Sequence, residues 1–184
     1  MEYLFAKSYL HFLKFKGFED YHNILKEFFK DNLQNEFYLE LEKISNDSTE
    51  TFNFFNNYFK NNEESFDEEK FEAALMSGIR KEYNETDNIT EFGSKCHDLW
   101  EVLPERLSNQ EPFLTLRYFE GYLDTNEAKA REIMGKMLSD YNYIDNYRFI
   151  ENYEYIKKRK DNIRKNAIVF AVVVLDCYSI KNIS

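Results

Sequence analysis

Along most of the chain, apolar side chains recur every three or four residues and charged or amide side chains fill the gaps. This is the spacing of amphipathic helices that bury one face. From Glu2 to Phe15, the residues Leu4, Phe5, Tyr9, Phe12 and Leu13 share such a face, and Gly17 offers a stop. The next stretch, FEDYHNILKEFFKDNL, aligns Tyr21, Ile24, Leu25 and Phe28. EFYLELEKIS carries the pattern on through Phe37, Leu39 and Leu41, where alternation with glutamates also admits a short strand, and SNDST interrupts it. TFNFFNNY, Thr51 to Tyr58, sets its rings at i, i+2, i+3 and i+6.

Punctuation is clearer downstream. Ser65 with Glu68 reads as a capping box that opens a helix over Phe66 to Tyr83, with Phe71, Ala74, Leu75 and Ile79 inward. Asp87 or Asn88 caps a helix through Phe92, Cys96, Leu99, Trp100 and Leu103, which Pro104 ends. Ser108 with Glu111 opens a helix to Leu123 with Pro112 in its first turn, and Asp124 with Glu127 opens another over Thr125 to Tyr141. The short polar link between these two predicts an antiparallel hairpin, with Phe113, Leu116, Tyr118, Phe119 and Tyr122 facing Ala128, Ala130, Ile133, Met134 and Met137.

One segment departs from this pattern. NAIVFAVVVLDCYSI, Asn166 to Ile180, runs nine apolar residues without a break from Ala167 to Leu175. A membrane-spanning helix needs about 20 such residues, so the segment is too short for an anchor. Its valines favour a buried strand, yet nothing else reads as a strand to pair with it, and unpaired backbone groups are costly. The expectation is a C-terminal helix buried all round, with a lone strand at 167–175 as the alternative. Together these elements predict an all-α fold, a single-domain bundle over residues 1–184 of roughly seven to nine helices by the count of caps and breakers.

Composition strengthens that class. Five Gly and two Pro leave few turns for a β-fold, while 18 Phe and 14 Tyr supply large side chains for a core. Richness in Lys, Asn, Ile, Phe and Tyr is the usage of an AT-rich genome, such as a bacterium or its phage. The net charge of −10 is unevenly placed: residues 1–100 carry 21 acidic and 11 basic side chains, and residues 101–184 carry 13 of each. Such a surface repels phosphate backbones and anionic lipid, so neither direct nucleic-acid binding nor membrane binding is expected. The basic block KKRKDNIRK, Lys157 to Lys165, reads as internal charge balance. Two distant cysteines and an amino-terminal stretch without a secretory pattern point to a reduced, cytoplasmic setting.

Catalytic motifs are scarce. KCHDLWE puts Cys96, His97, Asp98 and Glu101 close together, with His97 and Glu101 at i, i+4, an arrangement that can pair an acid with a base or begin a metal site. No second ligand cluster, nucleophile elbow or phosphate loop accompanies it, so no cofactor and no metal is expected. The densest charge is EESFDEEKFE, where Glu63, Glu64, Asp67, Glu68, Glu69 and Glu72 form the expected partner-binding set, with Glu64, Asp67 or Glu68, and Glu72 on one helix side. The function expected from class and charge is a non-enzymatic binder that neutralises a basic protein partner, as immunity proteins and phage inhibitors neutralise a toxin or nuclease. The alternatives are a helical scaffold and a small enzyme built on His97 with Asp98 or Glu101.

Overall fold

A computed structural model of the protein describes residues 1–16, 21–31 and 34–141. Among these residues the backbone forms eight α-helices and one 3-10 turn, with no strand. The class is all-α. The apolar segment at 167–175 and the basic block at 157–165 lie outside the described residues. Contacts divide the described chain into two compact units, Met1–Asn84 and Glu85–Tyr141.

In the first unit, α1 (Glu2–Phe12) is the helix surrounded by others, for every residue from Tyr3 to Leu10 is buried. Its ring of Phe5, fully enclosed, meets Tyr9, Phe55, Phe59, Phe66 and Phe71 at centroid distances of 5.0, 5.6, 5.9, 5.4 and 5.0 Å. Aromatic pairs in such stacked, tilted and edge-on poses add about 0.5–1.5 kcal/mol each beyond the area they bury. α1 ends at Phe12, before the expected stop at Gly17, which lies outside the described residues. Lys14 takes the left-handed conformation (φ 58°), its N–H donates to the His11 carbonyl (3.2 Å), and the Phe15 N–H donates to the Leu10 carbonyl (2.8 Å). That is a Schellman ending in which a lysine occupies the position glycine prefers, closed by the buried Leu10 and Phe15.

Three helices then follow. α2 (Tyr21–Asp31) buries Tyr21, Ile24 and Leu25 of its predicted face and leaves Phe28 half-buried. α3 (Glu36–Ile44) is a helix and not a strand: the Asn35 carboxamide oxygen accepts from the Phe37 N–H (3.0 Å), and the buried pair is Tyr38 and Leu41, three apart. α4 (Ser48–Asn61) starts where Asp47 accepts from the N–H groups of Thr49 and Glu50 (2.9 Å each) and buries Thr51, Phe55 and Phe59. After a 3-10 turn (Glu63–Ser65) comes α5 (Glu68–Glu85), buried without interruption from Phe71 to Ile79. Leu10 of α1 fills the space that a side chain at Gly78 would need, so α5 approaches α1 closely there.

The second unit is built on α6 (Ile89–Val102), α7 (Glu105–Ser108) and α8 (Phe113–Ser139). α6 begins as expected at Asn88, whose oxygen accepts from the Glu91 N–H (3.1 Å). α8 runs antiparallel to α6: Ser94 donates to Glu120 (2.5 Å), His97 lies against the Arg117 carbonyl (3.4 Å), and Phe92 meets Phe119 edge-on at 5.7 Å. Gly93 lets the two backbones close, with Leu123 directly opposite.

Two expectations are corrected here. Ser108 belongs to α7, and Glu111 itself holds the start of α8 by accepting from the N–H and hydroxyl of Thr115 (3.2 and 2.6 Å). The break expected at Asp124 falls two residues later, where two helical stretches meet across a kink. α8 continues past Asp124 with this one break at Asn126 (φ −158°, ψ 83°), whose side-chain oxygen accepts from the Lys129 N–H (3.0 Å), so Phe113 to Leu123 pairs with α6.

Candidate functional site

The expected acidic set is spread over three environments. Glu63 and Glu64 are exposed on the 3-10 turn, where buried Phe66 fastens the segment by edge-on contacts to Phe5 (5.4 Å) and Phe59 (4.7 Å). Asp67, not Ser65, starts α5: its carboxylate accepts from the Lys70 N–H (3.1 Å) and pairs with the Lys70 ammonium (3.3 Å). Glu68 and Glu69 are half-buried, and Glu72 is buried at 8% exposure. The expectation that Glu64 and Glu72 share one helix side is therefore corrected, because Glu64 precedes the helix and Glu72 turns inward. Nothing in the run of charge marks Glu72 as inward; it falls within the stretch from Phe71 to Ile79 that the fold buries throughout.

Exposed acid is concentrated just upstream. Over residues 36–64 the exposed charged side chains are Glu36, Glu40, Glu42, Asp47, Glu50, Glu63 and Glu64 against Lys43 and Lys60, seven carboxylates to two ammonium groups. Within this stretch Phe37 of α3 meets Phe54 and Tyr58 of α4 at 5.0 and 4.9 Å, and all three rings are half-buried. They form an aromatic surface between two helices, with Glu40 of α3 and Glu50 of α4 exposed. The spacing of Phe54 and Tyr58, four apart, marks this face in the sequence, but only the fold brings Phe37 to it.

KCHDLWE lies along α6. Cys96 is fully buried, while Asp98 is exposed. His97 stands 3.4 Å from Glu101, itself 60% exposed, on the outer face of the helix. Beside them Trp100 donates its indole N–H to the Ser108 carbonyl (3.0 Å), and the Arg117 guanidinium lies 4.4 Å above the indole. These contacts tie α6, α7 and α8 together. Among the described residues no group of three His, Cys, Asp or Glu side chains is placed to hold a metal ion.

The other two histidines meet in the first unit, where the rings of His11 and His22 are 6.3 Å apart and both pack on Tyr21. Burial, with His22 nearby, holds the His11 imidazole below its ordinary pKa of 6.5. A cleft of about 350 Å³ opens beside His22, Leu25, Lys26 and Phe29 of α2 and Glu42 and Ser45 at the end of α3. Its lining mixes one imidazole, one ammonium and one carboxylate, and it supplies neither a carboxylate pair nor a second histidine for acid–base work.

No protein family matches the chain, and neither a curated protein nor a solved structure shows significant similarity to it. Among the described residues no helix is long and apolar enough to cross a membrane.

Proposed function

We propose that the protein is a non-enzymatic acidic binder that neutralises a basic protein partner, in the manner of an immunity protein or a phage-encoded inhibitor of a toxin or nuclease. The observation that carries this reading is the excess of seven exposed carboxylates over two exposed lysines along residues 36–64. A one-signed surface raises the encounter rate of an oppositely charged partner, and packed side chains at the contact then govern its release. Neutralisation follows where the carboxylates cover the basic groups with which the partner holds its own anionic substrate.

The test is capture from the source cell at low and moderate salt, followed by reconstitution with the purified captured protein. The expected outcome is one basic partner whose activity falls on binding, with affinity reduced in a variant carrying Glu40→Gln, Glu50→Gln, Glu63→Gln and Glu64→Gln. Capture that ignores both salt and this variant, or a partner whose activity is unchanged when bound, overturns the reading.

A further inference from the structure

We infer that the half-buried rings Phe37, Phe54 and Tyr58, with Glu40 and Glu50 at their edges, form the surface that receives a cationic, partly apolar segment of a protein partner. The inference rests on the acidic-binder reading and names the place and the chemistry of contact. Three observations converge on this face. First, the rings are neither core nor isolated surface residues: Phe37 lies 5.0 Å from Phe54 and 4.9 Å from Tyr58, and each of the three residues is only half-buried. Large rings gathered on one patch are the groups that carry binding energy at protein interfaces.

Second, helical spacing sets carboxylates against those rings. Glu40 is three residues beyond Phe37 on α3, and Glu50 is four before Phe54 on α4, with Tyr58 a further four along the same row. Residues three and four apart on a helix are surface neighbours. Third, the two carboxylates are exposed, and among the described residues neither makes an ion pair. Of the nearby exposed lysines, Lys43 is three residues from Glu40 yet forms no ion pair with it, and Lys60 is two from Tyr58.

A lysine or arginine side chain suits this arrangement on both counts. Its methylene stem covers the rings, its charge is attracted to the ring faces, and its head group reaches the carboxylates. Nucleic acid does not fit, since its phosphates would meet the same unpaired carboxylates.

The experiment uses the full chain and a defined probe, a synthetic amphipathic peptide of alternating lysine, arginine and leucine, with a glutamate-for-lysine counterpart as control. Amide chemical shifts map the site and titration gives the affinity at 50 and 300 mM salt, with each variant first shown to keep its helical circular dichroism. The expected result is perturbation centred on residues 37–40 and 50–58 by the basic peptide alone. Glu40→Gln with Glu50→Gln weakens binding by about five- to tenfold at low salt, whereas Tyr58→Ala weakens it by a similar factor at both salts. Glu105→Gln with Asp124→Asn, which removes the same charge from exposed positions in the second unit, changes affinity by less than about twofold. Equal loss in both charge-matched pairs, or perturbation centred elsewhere, overturns this surface and leaves the acidic-binder reading standing. Absence of binding at low salt overturns both.

Discussion

Rings make up a larger share of the first unit's core than of the second's, where aliphatic and methionine side chains outnumber them, and the two kinds make different demands on their neighbours. Around Phe5 five flat side chains fix one another at 5.0 to 5.9 Å, and each has few rotamers with which to accommodate a change. In the second unit Leu99, Leu116, Ala130, Met134 and Met137 are buried beside Phe92 and Phe119, and methionine refills irregular space readily. Polar burial divides in the same way. Lys7, Glu72 and Glu82 are buried in the first unit, whereas the buried polar side chains described in the second are Ser108 and Thr115. Glu82 accepts the Lys16 N–H at 2.7 Å and so holds the backbone just beyond α1. The first unit thus depends on specific partners and the second on apolar volume.

The sharpest way to break that contrast is a pair of substitutions to leucine. Phe5→Leu is expected to cost about 2 kcal/mol or more, since several ring contacts worth about 0.5–1.5 kcal/mol each are lost along with volume. Met134→Leu keeps volume in an adaptable site and is expected to cost less than about 1.5 kcal/mol. Urea titrations followed by circular dichroism supply both values. Trp100 is the chain's one tryptophan and lies in α6, so its fluorescence follows the second unit alone. Similar costs for the two variants would erase the distinction.

Protons are expected to act on the two units in opposite directions. His11 is held below 6.5 by burial and then by His22, so the folded state binds fewer protons than the unfolded chain, and stability falls as pH drops below 6.5. Glu111 is shifted the other way: burial raises its carboxyl above 4.5 although bonds from Thr115 oppose the rise, so stability falls as pH climbs past 4.5. His11→Gln should therefore flatten the acid loss, and Glu111→Gln the loss towards neutrality while still accepting from Thr115. Glu111→Ala, which also removes the cap of α8, is expected to cost about 1 kcal/mol at either pH. Melting temperatures at pH 5 and pH 7.5 separate these outcomes, and parallel slopes in the two glutamine variants would contradict them.

The smallest effects are gains. Lys14→Gly relieves the left-handed residue at the end of α1 and is expected to add about 0.5–1 kcal/mol. In the second unit Gly121 is exposed within α8, and a methyl group there meets nothing within 4 Å, so Gly121→Ala is expected to add about 1 kcal/mol. A loss in either variant, seen as a lower urea midpoint, would mean that the residue serves something other than stability.

Much of the helical pattern was legible because buried faces repeat at a helical period, and Asn88 capped where its position suggested. What misled was competition among neighbouring caps. Ser65 and Asp67 both suit the start of α5, and the carboxylate takes the Lys70 N–H, while Asn126 wins over Asp124 in the same way two residues further on. Gly17 drew attention away from Lys14, because a Schellman ending is specified by the closure of Leu10 on Phe15 as much as by the residue between them. The acidic set failed for a related reason: a run of charge says nothing about which side chains turn inward, and Glu72 does. The face of Phe37, Phe54 and Tyr58 needed the antiparallel meeting of α3 and α4, which local spacing does not contain.

The break at Asn126 bears on how this chain can change length. In an unbroken helix one added residue turns everything beyond it by about 100° and swaps buried for exposed positions. Residues 124–128 are all exposed, and the hydrogen-bond ladder already restarts at the Asn126 cap, so an insertion there need not rotate the stretch that buries Ala130, Met134 and Met137. The joint separates the register of the two halves of α8, making it the position in the second unit best suited to absorb an insertion, a deletion or a grafted loop.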